Sequence, residues 1–283
     1  MAAGADIPAL VSTDWLAGRL ADPRVRPVDA SWYLPASGRD AAAEFVAAHI
    51  PGAVRFDLEA NSDPASGLPH MLPSPEAFAA SMRGLGLSSG DTIIVYDDSG
   101  ANMSAARAWW MFRVFGHARV AVLDGGFGKW RAEGRSLEAG PGRAGQGDFE
   151  ARLDRARVRD LEAMRANLGT AAEQVIDARS AGRFAGTAPE PRPGLRSGHI
   201  PGSRSLPYTE LVAADGTMLP AAELRRKFVR AGIDLARPVV ASCGSGVTAC
   251  ALVHALHLLG HEDTAVYDGS WSEWGGREDV PVE

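Results

Sequence analysis

The chain has 283 residues, enough for two ordinary domains, and 46% of them are hydrophobic and 23% charged. A net charge of −6 gives no electrostatic case for nucleic acid or an anionic membrane as partner. Two cysteines seven positions apart suggest no disulfide framework, so a reducing compartment, the cytoplasm, is expected. Met1 to Pro8 shows neither a basic n-region nor an apolar h-region, and no stretch is long enough to span a bilayer.

In chain order, Ser12-Thr13-Asp14 caps a short helix running to Leu20, and Arg26 to Ala30 reads as a strand. Ala41 to Ala48 is helical and ends at His49-Ile50-Pro51-Gly52. Ser74-Pro75-Glu76 starts a helix, with a capping serine, proline at the first helical position and an early acid. Asp91 to Tyr96 is a buried strand, Ala105 to Phe115 a helix stopped by Gly116, and Ala118 to Leu123 a strand closed by Asp124-Gly125-Gly126. The second half repeats this order. Gln174 to Arg179 is a strand, His199-Ile200-Pro201-Gly202 repeats the earlier tetrapeptide, and Ala221 to Ala231 is a helix. Ala265 to Tyr267 is the last strand, closed by Asp268-Gly269-Ser270-Trp271. His49 and His199 lie 150 positions apart, and Asp124 and Asp268 lie 144 apart, which supports a duplication. Strands alternating with helices predict an α/β fold of two tandem domains, each a parallel sheet flanked by helices. Gly134 to Asp148 is rich in Gly, Pro and small residues, so the division is drawn as 1–137, a linker 138–149, and 150–283.

One stretch organises the second half. Pro238 to Ser242 is a buried strand, Cys243-Gly244-Ser245-Gly246-Val247-Thr248-Ala249 a tight loop, and Cys250 to Gly260 a helix closed by glycine. The glycines are expected to turn successive backbone N–H groups inward, and such a nest beside a helix dipole stabilises negative charge. A thiol there is set up to react as thiolate, and with no Lys or Arg in the loop the activation falls to the backbone. Most free cysteines are small buried hydrophobes, which is how Cys250 reads; the strand–Cys–glycine–helix context sets Cys243 apart. The segment Gly182 to Gly194 has too many prolines and glycines for regular structure, and reads as a shaped loop whose Arg183 and Arg192 suit a small carboxylate. Gly125 to Trp130 lacks the Ser/Thr and spacing of a P-loop. His254 and His257 have no third ligand nearby in sequence and read as structural, and Trp109-Trp110 reads as core.

The loop C-G-S-G-V-T-A resembles that of the rhodanese superfamily, in the wording of its 3-mercaptopyruvate sulfurtransferase branch. Ser31 to Pro35 and Gly182 to Gly194 also resemble that branch, so the likeness covers nearly all of the chain. Thiosulfate-specific relatives usually carry two basic residues where this chain has Gly244 and Ser245, so the neutral loop implies mercaptopyruvate as donor and thiosulfate as the rival. The resemblance implies Cys243 as nucleophile and persulfide carrier, with Gly244, Gly246, Val247 and Thr248 of the loop around the bound sulfur. It implies that Arg183 and Arg192 hold the donor's carboxylate, and that His70 reaches across an interdomain cleft to form a relay with Ser245. A thiol acceptor such as thioredoxin or glutathione is implied, and no metal or organic cofactor. In the first half the corresponding strand leads to Asp97-Asp98, so a silent copy is expected there. A Cys-dependent phosphatase would need an arginine closing the loop, where this chain has Ala249 and Cys250, and a non-catalytic sulfur-carrier module would need neither an intact loop nor an arginine pair.

Overall fold

The computed structural model, described for residues 7–142 and 145–283, shows ten strands among those residues, and the apolar runs Thr92–Tyr96, Val120–Leu123, Val239–Ser242 and Thr264–Tyr267 are buried throughout. The leader expectation at the first residues and the centre of the expected linker lie outside the described residues. The first sheet contains β1 (Leu10–Val11), β2 (Val25–Asp29), β3 (Val54–Arg55), β4 (Thr92–Tyr96) and β5 (Val120–Leu123), in the order β1-β5-β4-β2-β3. The second contains β6 (Val158–Arg159), β7 (Gln174–Asp177), β8 (Arg204–Ser205), β9 (Val239–Ser242) and β10 (Thr264–Tyr267), in the order β6-β10-β9-β7-β8. Every pair is parallel. The registers coincide: Asp29 pairs with Tyr96 in one sheet and Asp177 with Ser242 in the other. The next residue after each central strand, Asp97 or Cys243, therefore occupies the same place.

The helices are α1 (Thr13–Ala17), α2 (Ala41–Ala47), α3 (Pro75–Gly84), α4 (Met103–Val114) and α5 (Gly126–Ala132) in the first half. The second half has α6 (Leu161–Thr170), α7 (Ala181–Phe184), α8 (Ala221–Arg230), α9 (Ala249–Leu258) and α10 (Ser270–Trp274). Side-chain caps begin α1, α2, α3 and α6: Ser12, Asp40, Ser74 and Asp160 each accept from a first-turn amide. Alternating strand residues feed two layers. Ile94, Tyr96, Ala121 and Leu123 pack with Leu16, Phe45, Phe127 and Trp130, while Phe78 and Phe112 interlock with Phe56 and Phe149. In the second half Val240, Ala265 and Tyr267 pack with Leu161, Met164, Trp271 and Trp274. Trp109 and Trp110 are core, as expected. α5, α6 and α10 have no counterpart in the sequence reading, which took Gly125-Gly126 and Gly269-Ser270 as stops only.

The repeated His-Ile-Pro-Gly is structural. His49 and His199 stack on Phe45 and Phe184 with ring centroids 4.1 and 3.8 Å apart. Each exchanges backbone hydrogen bonds with a glutamate, Glu138 or Glu283, whose carboxylate accepts from the motif's glycine, Gly52 or Gly202. The chain divides into two compact units. The first holds residues up to Asn61, Pro73–Leu153 and Ala214–Thr217; the second holds Ser62–Leu72, Asp154–Ala213 and Met218–Glu283. Among the described residues no helix is long and apolar enough to cross a membrane.

Candidate active site

Cys243 directly follows β9, the central strand of the second sheet, and is only 1% exposed. Gly246, at φ +74°, turns the loop toward α9, a conformation an L side chain resists. Val247 is buried, and Thr248 precedes the helix in αR conformation without a side-chain cap. The loop is held from the turn after β10. Ser270 Oγ accepts from the amides of Cys243 (3.2 Å) and Gly246 (3.1 Å) and donates to the Tyr267 carbonyl (2.7 Å). The amides of Trp271 and Ser272 donate to the carbonyls of Cys243 and Gly244, each at 2.9 Å. Of the loop's amides, those of Cys243 and Gly246 are thus taken up by a serine hydroxyl. Ser270 itself sits fully buried at φ +49°, a cost on the order of 1 kcal/mol that its three hydrogen bonds offset. Cys250 is core, its thiol donating to the Gly246 carbonyl at 3.2 Å.

His70 joins this site. Its Nδ1 lies 2.9 Å from Ser245 Oγ, and the two residues are 2% and 6% exposed. The segment carrying it, Ser62–Leu72, belongs to the same compact unit as Cys243. It is closed by Asp63 N–H on the Met71 carbonyl (2.9 Å) and tied down by Leu72 N–H on Asp268 Oδ2 (2.8 Å). His70 is a non-glycine residue at φ +62°, so its placement is over-determined by these contacts. The pair can pass a proton between a group at the loop and the imidazole.

Arg183 does not lie in irregular chain as expected. It sits on α7, a single turn that Gly186, at φ +70°, ends. Its guanidinium reaches the Cys243 loop: a Cβ built on Gly244 would stand 2.9 Å from Arg183 Nη2. No Lys or Arg lies in the loop itself, but a charge arrives beside it from a helix some 60 positions earlier in the chain. A methyl at 244 would have to push that guanidinium aside. Glu190 holds Arg183 in place, accepting from Nη2 at 2.5 Å and Nε at 3.2 Å. The same carboxylate accepts from Nη1 of Arg179 at 2.7 Å. Arg179 is 1% exposed, pairs with Asp177 (Nε–Oδ2 2.9 Å), donates to the Gly198 carbonyl (2.8 Å) and lies over the Trp271 ring at 4.2 Å. A buried row Asp177–Arg179–Glu190–Arg183 thus ends in a cation that is part-exposed at the loop. Arg192 sits half-buried between Pro191 and Pro193 in the irregular part of the segment. Reading the sequence alone missed Arg179, Glu190 and Ser270; the repeated Asp-Gly-Gly and Asp-Gly-Ser was the available signal for the last. Among the described residues no group of three His, Cys, Asp or Glu side chains could hold a metal ion.

The first unit shows what the same frame does without cysteine. Asp97 is 1% exposed; its Oδ1 accepts from Ser99 N–H (2.9 Å) and Oγ (2.7 Å), and its Oδ2 from Ala105 N–H (2.8 Å) and Ser104 Oγ (3.2 Å). Beside it, burial pushes the Asp29 carboxyl up to about 6, helped by the negative Asp97 and opposed by hydrogen bonds from Ser31.

Two parallel five-stranded units, one of them presenting a cysteine at the end of its central strand, define a class that comparison with known proteins identifies. The rhodanese-like domain model matches residues 12–133 and 160–277, and the chain belongs to the rhodanese family. Mouse 3-mercaptopyruvate sulfurtransferase is 46% identical over 97% of this chain and 94% of its own length. The mitochondrial thiosulfate/3-mercaptopyruvate sulfurtransferase 1 of Arabidopsis thaliana is 45% identical over 97% of this chain and 78% of its own length. The crystal structure of the 3-mercaptopyruvate sulfotransferase SseA from Escherichia coli superposes with a TM-score of 0.86 at 41% identity, over 94% of this chain and 99% of that one.

Proposed function

We propose that this chain transfers the sulfur of 3-mercaptopyruvate through a persulfide on Cys243 to a thiol acceptor such as thioredoxin or glutathione, or to cyanide, releasing pyruvate. The observation that carries the reading is the convergence on one loop of a cysteine at a strand end, the Arg183 guanidinium on Gly244, and the Ser245–His70 pair. Relatives named for this donor at 44–46% identity over nearly the whole chain support it.

Arg183 and Arg192 hold the donor's carboxylate. The Cys243 thiolate attacks the substrate sulfur, the carbon–sulfur bond breaks, and its electron pair leaves with the three-carbon fragment as the enolate of pyruvate. The substrate thiol must lose a proton and the enolate must gain one, which is the role assigned to Ser245 and His70. The persulfide rests in the loop formed by Gly244, Gly246, Val247 and Thr248 until an acceptor takes its outer sulfur. The chain works in the cytoplasm in this reading.

One observation favours a second donor. The Arg183 cation against Gly244 supplies the charge that thiosulfate and departing sulfite need, and the Arabidopsis relative is named for both donors. Pyruvate release with mercaptopyruvate, and sulfite release with thiosulfate, measured side by side with purified protein, test the assignment. A higher kcat/KM for mercaptopyruvate is expected; equal or better turnover of thiosulfate would hand the assignment to that donor.

A further inference from the structure

The most exposed large hydrophobic side chain among the described residues is Val229, at 59%. It lies on α8, which Leu224 and Phe228 anchor to the core of the second unit. Ala222, Arg225, Arg226 and Val229 follow one another at helical spacing on the outer side of α8. With Leu258 and Leu259 from the end of α9 they line a groove of about 710 Å³. Its floor is apolar and its rim cationic. Arg226 has only a loose contact with Glu223 at 3.8 Å, and Arg225 and Arg230 form no ion pair among the described residues. This is the reverse of the molecule as a whole. The chain carries a net charge of −6, yet α8 sets Arg225, Arg226, Lys227 and Arg230 against the single Glu223. The groove stands at the far end of α9 from the Cys243 loop, about 15 Å along a ten-residue helix, so it is no part of the site described above.

We propose that this groove is a docking site for an acidic amphipathic helical segment of a partner protein, which seats one or two aliphatic side chains on Ala222, Val229 and Leu258 while its carboxylates meet Arg225 and Arg230. Charge decides the occupant: an acidic helix complements a cationic rim, and a second copy docking through its own α8 would set arginines against arginines.

The test is fluorescence anisotropy with the intact protein and a labelled helical peptide of Glu, Leu and Ala, its leucines at alternate spacings of three and four. Binding at about 10 μM or tighter is expected, weakening as salt is raised. Arg225→Glu with Arg230→Glu, and separately Val229→Glu, should each weaken it at least tenfold while sulfur transfer and melting temperature stay unchanged. The proposal is overturned if the variants bind as well as wild type, or if a Lys-for-Glu peptide binds equally. It also fails if no acidic amphipathic peptide binds at about 1 mM, if only phosphatidylglycerol vesicles bind, or if light scattering shows the groove closed by a second copy.

Discussion

The ends of the two central strands solve one structural problem in opposite ways. After β4 the side chain is Asp97, and its carboxylate ties the loop amide of Ser99 and the α4 amide of Ala105. After β9 the side chain is Cys243, and the binding work has moved to Ser270, whose hydroxyl takes two loop amides. The corresponding position in the first unit is Gly126, with the same left-handed backbone (φ +56° against +49°) and no hydroxyl to offer. A side chain at the strand end can either hold the loop or react; the second unit frees its cysteine to react by placing the holder elsewhere. A charge difference accompanies this. One residue before the phenylalanine that stacks on the motif histidine, the second unit has Arg183 and the first has Glu44, itself paired with Arg39. A cation stands at this position in one unit and a carboxylate in the other.

The comparison breaks most easily at the groups that only the second unit has. Replacing His70 by Gln removes the proton partner of Ser245, and kcat should fall on the order of 100-fold, with the pH profile of kcat flattened. An unaltered profile would leave His70 a packing residue. Ser270→Ala strips two buried amides of their acceptor, each worth about 1–3 kcal/mol, so turnover should drop roughly ten- to a hundredfold together with melting temperature. Asp97→Asn should lower melting temperature and leave sulfur loading per chain intact; a loss of loading would mean that the two strand ends are not independent.

Gly244→Ala is a smaller change with a sharper reading. The added methyl displaces the Arg183 guanidinium, so KM for mercaptopyruvate should rise about tenfold, a loss of roughly 1.4 kcal/mol, with kcat little altered. Arg183→Ala should match it, and Arg192→Ala should raise KM by a similar factor if both arginines hold the carboxylate. Unchanged KM in Gly244→Ala would remove Arg183 from donor binding.

The smallest effect concerns the first unit. A carboxyl whose folded value lies above its unfolded one is held protonated by the fold, so the stability tied to Asp29 is present below about pH 4 and lost as pH rises through about 6. Asp29→Asn should therefore be as stable as wild type near pH 4 and more stable near pH 7, by an amount on the order of 2 kcal/mol in urea titrations. A gain that does not grow with pH would contradict the assignment of the burial cost to that carboxyl.

Much of this was legible in the residues. Ile93-Ile94-Val95 and Val239-Val240-Ala241 are apolar because both faces of a central parallel strand are covered, and the Asp-Gly and His-Ile-Pro-Gly repeats marked the duplication. α5 and α10 were hidden because Gly125 and Gly269-Ser270 end a strand and begin a helix in the same few residues, and a glycine that stops a strand carries no mark of the helix behind it. α7 was hidden by the prolines after it, although its own turn, Ala181–Phe184, contains none. Cys243 declared itself through strand, glycine and helix in sequence. The Ser245–His70 pair came from resemblance alone, since nothing local ties a loop histidine to a residue 175 positions away. Arg183 was assigned to a ligand, yet its seat on Gly244 and its tether to Glu190 depend on chain folding that spacing does not encode.

The central claim is that sulfur is carried on Cys243 and nowhere else in the chain. Intact-protein and peptide mass spectrometry after brief exposure to mercaptopyruvate, before any acceptor is added, tests it directly. One additional sulfur per chain is expected, located on the peptide holding Cys243, and none in Cys243→Ser. A second sulfur on the Cys250 position, or loading that survives in Cys243→Ser, would contradict the account.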